Sequence, residues 1–131
     1  MVELMVVVGI ISLLALIAIP LYLNQRRTAV DASVKTDLSN AAGMINLWIA
    51  ENPNTPVPSV TISRSDSSQS NISFSDSVPA PISSIKVGPQ NTLVVSPETP
   101  VGSYTIRGSN PNGEESASGI VWDSYTTGGI Q

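Results

Sequence analysis

From Leu4 to Leu23 the chain reads LMVVVGIISLLALIAIPLYL, twenty residues without a charge and almost without a polar atom. As a helix at about 1.5 Å per residue, such a run extends about 30 Å, the thickness of a bilayer's hydrocarbon core. A cleaved signal peptide would have a basic n-region, a shorter apolar stretch and a small-residue cleavage site. Only Met1, Val2 and Glu3 precede this run, and no A-x-A follows it. It therefore reads as a retained apolar anchor. The flanking charges conflict with the simplest orientation. Arg26 and Arg27 follow the run and no base precedes it, so the positive-inside rule would place the C-terminal part in the cytoplasm.

The helical signal continues past the apolar run. No proline follows Pro20 until Pro53, and Val30, Val34, Leu38, Ala41, Ile45 and Trp48 recur at spacings of three and four. That is one stripe of an amphipathic helix. Lys35, Asp37, Ser39 and Asn40 are expected largely off the stripe. The Asn-Pro-Asn-Thr-Pro cluster at 52–56 ends the pattern. The prediction is one helix of about fifty residues, apolar all round in its first half and on one side in its second. Pro20 lacks an N–H and crowds the carbonyl four residues back, so the helix is expected to kink or loosen there. Gly9 and Ser12 weaken the same half slightly.

Beyond residue 52 the composition inverts. About 30% of the segment is Ser or Thr, and nine of the ten prolines lie in it. Val60–Ile62, Leu93–Val95, Tyr104–Ile106 and Ile120–Trp122 read as short strands. Gly88-Pro89, Pro97, Pro100-Val101-Gly102, Asn110-Pro111-Asn112-Gly113 and Gly128-Gly129 read as the turns between and after them. Ser63–Ser77 reads as a surface loop, with Phe74 turned inward. Three or four antiparallel strands with one apolar face need a second layer, which the helical stripe supplies. The expected fold is α+β, a long helix laid across a small antiparallel sheet. Its parts are an apolar half-helix over 1–25, an amphipathic half-helix over 26–52 and a sheet-rich head over 53–131.

Little in this sequence points to catalysis. The 131 residues include no Cys and no His, which removes disulfides, thiol nucleophiles, Cys-ligated zinc and the commonest general base. Charged residues make up 12%, about half the usual ~25%. An isoelectric point near 4.5 and the scattered bases Arg64, Lys86 and Arg107 do not make a nucleic-acid groove. Ser83-Ser84-Ile85-Lys86 matches S-x-x-K without its companion motifs. Glu114-Glu115 is an acidic pair short of a calcium site's several oxygens, and Asn71-Ile72-Ser73 matches the N-glycosylation pattern. In so Ser-rich a segment such matches arise by chance. No catalytic, cofactor or metal site is expected. Glu3 stands out because a charge inside an apolar membrane helix costs about 2.5–3.5 kcal/mol. It either snorkels to an interface or neutralises a positive group in an apolar setting.

The segment VELMVVVGIISLLALIAIPLYLNQRRTAVDASVKTDL closely resembles the N-terminal segment of type IV pilins and their relatives. The shared elements are Glu3 after a short apolar lead-in, the unbroken Leu4–Ile19 run, Pro20 at its end and Tyr22 soon after. GSYTIRGSNPNG and the closing WDSYTTGG are similar, more weakly, to Cys-free pilins of Gram-positive bacteria. The resemblance implies a subunit that waits in the cytoplasmic membrane and is then built into a surface filament serving adhesion, motility or DNA uptake. Its implied partners are further copies of itself, the pilus assembly machinery, a prepilin peptidase and, before assembly, the membrane. It implies that Glu3 docks on the amino terminus of a neighbouring subunit and that Leu4, Val7, Ile11, Leu14 and Ile17 pack in the filament core. Gly9, Ser12 and Pro20 would mark a segment that melts in the filament, while Val30, Val34, Leu38, Ile45 and Trp48 hold helix to sheet. The family carries a basic leader and a Phe-Thr-Leu lead-in, and Met1 stands here in place of that Leu. The leader and first mature residues are therefore expected to be missing from this sequence, which resolves the orientation conflict. If Met1 is instead the true start, leader cleavage and N-terminal methylation do not apply. A pseudopilin of a type II secretion or competence system shares the motif. A membrane-anchored monomeric extracellular binding module or enzyme is the reading from another class.

Overall fold

A computed structural model of the chain describes residues 1–63, 87–124 and 129–130. One α-helix, α1 (Val2–Glu51), takes up 50 residues and extends about 75 Å. Pro20 lies inside it and the helix continues on both sides. The missing N–H costs one bond, the one to the Leu16 carbonyl, and the neighbouring turns keep theirs. At the far end the Asn52 N–H reaches the Trp48 and Ile49 carbonyls at 2.9 and 3.1 Å, and its Nδ2 donates to the Trp48 carbonyl at 3.0 Å. Pro53 follows and cannot extend the ladder.

Among the described residues five strands follow: β1 (Val60–Ser63), β2 (Thr92–Glu98), β3 (Ser103–Ser109), β4 (Ile120–Asp123) and β5 (Gly129–Ile130). They form one antiparallel meander in sequence order. The molecule is thus α+β, a long helix packed on a small antiparallel sheet. Three findings differ from the sequence-based expectation. Pro97, expected in a turn, lies within β2 and pairs with Tyr104. Ser63 closes β1 instead of opening a loop, and Gly129 pairs with Asp123 in β5 instead of serving purely as a turn residue. A two-residue strand has no periodicity of its own; pairing with β4 alone defines it. Pro97 lies where β2 has run past the end of β1, a part of a strand that tolerates proline. The remainder of the expected surface loop, 64–77 with Phe74 and Asn71-Ile72-Ser73, lies outside the described residues, as does Ser83–Lys86.

Register lines up the apolar face in rows across the strands. Ile62, Leu93, Gly108 and Ile120 stand side by side, and Val60, Val95, Ile106 and Trp122 form the next row. A one-residue slip of any strand would turn its apolar set toward water, so burial holds this register. Against these rows lie Val34, Leu38, Ala41, Ala42, Ile45 and Trp48 of α1, all buried. At Gly108 the helix and the sheet approach closely. A Cβ there would come within 2.7 Å of Val34 Cγ1 and 3.0 Å of Leu38 Cγ, so the missing side chain lets helix and sheet meet. Tyr104, four residues earlier on β3, is fully buried. It stacks on Trp122 with ring centroids 5.2 Å apart and donates its hydroxyl to Asn46 Oδ1 at 2.8 Å, with the Ala42 carbonyl 3.1 Å away. Burial raises the pKa of that phenol, which keeps it a neutral donor.

Candidate functional site

The sheet covers only the second half of α1. From Leu4 to Leu23 fifteen large apolar side chains point away from all other protein, each between 47% and 79% exposed. Leu4, Val7, Ile11, Leu14 and Ile17 are all in this exposed set. At about 100 Å² apiece the uncovered apolar area is on the order of 1,500 Å², far above the few hundred Å² of an ordinary monomer's surface patch. Covering it removes on the order of 30–40 kcal/mol of unfavourable hydration. The most apolar eighteen-residue stretch of the helix has a mean hydropathy of 2.9 and none of it is buried within the subunit. The helix is long and apolar enough to cross a membrane.

The polar and conformational exceptions within this half are few. Glu3 is exposed in the first turn, where the helix dipole favours a carboxylate. Ser12 donates its hydroxyl to the Val8 carbonyl at 2.8 Å, so an apolar environment would meet no unpaired hydroxyl there. Nothing approaches within 4 Å of the position a Cβ on Gly9 would take. Gly9, Ser12 and Pro20 therefore lie on one uninterrupted helix, open on every side within the subunit.

At the junction with the head the geometry is different. Val34, Leu38, Ile45 and Trp48 sit in the core, whereas Val30 is half-buried at its upper edge. Asp37, expected largely off the stripe, is buried. Its Oδ2 accepts the Gly88 N–H at 2.7 Å and Asn91 Nδ2 at 2.6 Å, and Asn91 Oδ1 in turn accepts Asn110 Nδ2 at 2.5 Å. The correction has a simple cause. Asp37 flanks Leu38 on the helix surface, and the 87–91 segment brings donors over that flank.

Asp31, which the periodicity did not single out, does the same nearly two turns earlier. Its Oδ2 accepts the N–H groups of Glu114 and Glu115, each at 3.1 Å, and its Oδ1 accepts Ser116 N–H at 3.0 Å and Ser116 Oγ at 2.6 Å. Burial alone would raise its pKa. The Ser116 hydroxyl and the three successive amides outweigh that and hold the carboxyl down to about 2, below an ordinary 3.8. Successive amides converging on one anion form a nest, here filled by the chain's own carboxylate. Gly113 lies so close to Asp31 Oδ1 and Ser116 Oγ that no side chain fits. The legible signal was Asn112-Gly113, a turn whose following amides need an acceptor. Glu114 and Glu115 themselves are exposed. Glu115 pairs with Lys35 at 2.6 Å, which raises the lysine's pKa, and among the described residues no three acids gather to share a metal ion.

The site thus has two parts. One is a bare apolar rod with an acid at its tip; the other is a pair of buried carboxylates that fasten two loops to the rod's lower half. Models of known families, curated proteins and solved structures yield no match to this chain.

Proposed function

We propose that this chain is a structural subunit of the type IV pilin kind, which polymerises through its N-terminal helix into a filament after residing in a membrane. One observation carries the reading: fifteen large apolar side chains on a half-helix that the rest of the subunit leaves uncovered. Only two surroundings keep such a rod dry along its whole circumference, lipid and a bundle of like helices. Transfer from the first to the second leaves every apolar side chain out of water. The all-round absence of charge between Leu4 and Leu23 suits both states. The helix then runs unbroken into the head, so each head is fixed to its rod without a flexible linker. On this reading the filament stands at the cell surface, and the assembly machinery and a prepilin peptidase are the subunit's partners. Leu4, Val7, Ile11, Leu14 and Ile17 form the filament core, and Glu3 carries docking.

Purified full-length chain in detergent, followed by detergent removal and negative-stain microscopy, tests the proposal. Ordered filaments of uniform width are expected, together with the same filaments in sheared surface material from the source cells. A chain that gives only monomers in lipid, and no filament in either preparation, is an anchored monomeric module and the proposal fails.

A further inference from the structure

Asn24, Gln25, Arg26 and Arg27 stand between the apolar run and the head, and all four are exposed. The two arginines are the only bases before Lys35. Among the described residues neither has an ion-pair partner in the subunit. Their height on the rod is fixed by the helix. They lie three and four positions past Leu23, which is about 4.5–6 Å along the axis. A bilayer with a core about 30 Å thick and a full thickness of about 40–45 Å has a headgroup layer about 5–7 Å deep on each side. With the apolar run filling the core, both arginines fall in that layer. Tyr22, 66% exposed, falls at its inner edge, where amphipathic rings settle.

The charge changes sign just beyond. Asp31 is the first buried residue of α1, and its eight positions past Leu23 put it about 12 Å beyond the core, outside the headgroups. The loop it holds brings Glu114 and Glu115 to that level, and both are exposed. Lys35 neutralises one of them, so the near rim of the head stays acidic. An anionic leaflet attracts the basic band and repels the acidic one. The two bands together favour a single depth, with the head held off the surface.

We propose that Arg26 and Arg27 form a binding site for the phosphate of anionic phospholipids, which sets the depth of the subunit in its membrane. The inference rests on the membrane stage of the reading above and adds the lipid chemistry that this stage selects. A guanidinium meets two phosphate oxygens with parallel hydrogen bonds. At about 100° per residue the two arginines diverge around the helix, so they engage separate headgroups. A choline headgroup offsets its own phosphate with a cation, whereas a glycerol headgroup leaves the phosphate's charge for the arginine.

The test uses the full-length chain, one copy per nanodisc of equimolar phosphatidylglycerol and phosphatidylcholine, with native mass spectrometry of the lipids that stay bound. Attraction to an anionic surface is on the scale of about fivefold per arginine, so at least about fivefold enrichment of phosphatidylglycerol is expected. Arg26→Gln with Arg27→Gln is expected to bring the two lipids to within about twofold of equal retention. A nitroxide on Ala29→Cys, an exposed position, reads depth through its accessibility to a water-soluble nickel chelate. That accessibility is expected to shift in the double variant and in pure phosphatidylcholine. The near-ultraviolet signal of Tyr104 and Trp122, unchanged throughout, shows that folding is not the cause. A chain that inserts but retains both lipids equally, or whose preference survives the double substitution, overturns the site and leaves the filament reading standing. Displacement of the lipid by inorganic phosphate at matched ionic strength would reveal an unselective anion site and overturn the lipid as its occupant. A chain that does not enter the nanodisc overturns the membrane stage itself, and this inference with it.

Discussion

Replacing Asp31 tests whether the clasp between α1 and the β3–β4 loop holds the head together. Asp31→Ala removes the acceptor for three backbone amides and the Ser116 hydroxyl. The carboxyl's displacement from 3.8 to about 2, at about 1.36 kcal/mol per pH unit, is worth about 2.4 kcal/mol. Asp31 is 6% exposed, but it lines an open surface pocket with Lys35, Glu114 and Glu115, so screening brings the electrostatic part to about 1–2 kcal/mol. Donors left unpaired add to that in Asp31→Ala, giving about 2–4 kcal/mol. In a head of this size about 1 kcal/mol moves the midpoint by about 4–8 °C, so a fall of about 10–30 °C is expected. The assay is thermal unfolding of the full chain in detergent micelles at pH 7, followed by the near-ultraviolet signal of Tyr104 and Trp122. The pH dependence gives a second check. A depressed carboxyl contributes fully above its unfolded pKa of about 3.8 and ceases to contribute as pH falls through about 2. The gap between the unaltered chain and Asp31→Asn should therefore be constant from pH 7 to about 5 and shrink between about 4 and 2. A midpoint for Asp31→Ala within about 3 °C of the unaltered chain at pH 7, or a gap that does not narrow in acid, would rule out the clasp.

Gly108→Ala should cost about 1–3 kcal/mol by pushing a methyl into Val34 and Leu38; a neutral result in urea unfolding would mean that the helix can lift off the sheet at little cost. Leu38→Ala and Leu14→Ala make an informative pair. The first empties a fully buried site and should lower head stability by about 2–5 kcal/mol, whereas the second, exposed in the subunit, should leave the head's unfolding within about 0.5 kcal/mol. Equal losses in the two variants would contradict the division of α1 into a free half and a packed half.

Much of this architecture was legible residue by residue. A run of twenty uncharged residues, a spacing of three and four through Trp48 and a proline cluster after it are local signals, because helical periodicity and chain termination act over a few residues. The same holds for Val60, Leu93, Tyr104 and Ile120, each heading a β-favouring run between turn residues. Asp31 and Asp37 were not legible in the same way. A carboxylate beside an apolar stripe usually faces water, and whether it is buried depends on which amides arrive from residues fifty or eighty positions away. Gly108 is similar: a glycine in a strand weakens it locally, and its use appears only once Val34 is seen across the gap.

Patterning along the chain is enough to dictate one long helix with an apolar half, and a remainder of strands that need that helix as a second layer. Each residue's solvation preference repeats with the period of its own element, so these features are written locally. Three things come only from the folded arrangement: how far the sheet reaches along the helix, which carboxylates become clasps, and which strands pair in which register. Each of these depends on contacts between residues distant in sequence, and no local preference encodes where such a contact stops. The sheet covers the helix no farther up than the region of Val30 and Asp31, which leaves the apolar half bare for other surroundings to cover.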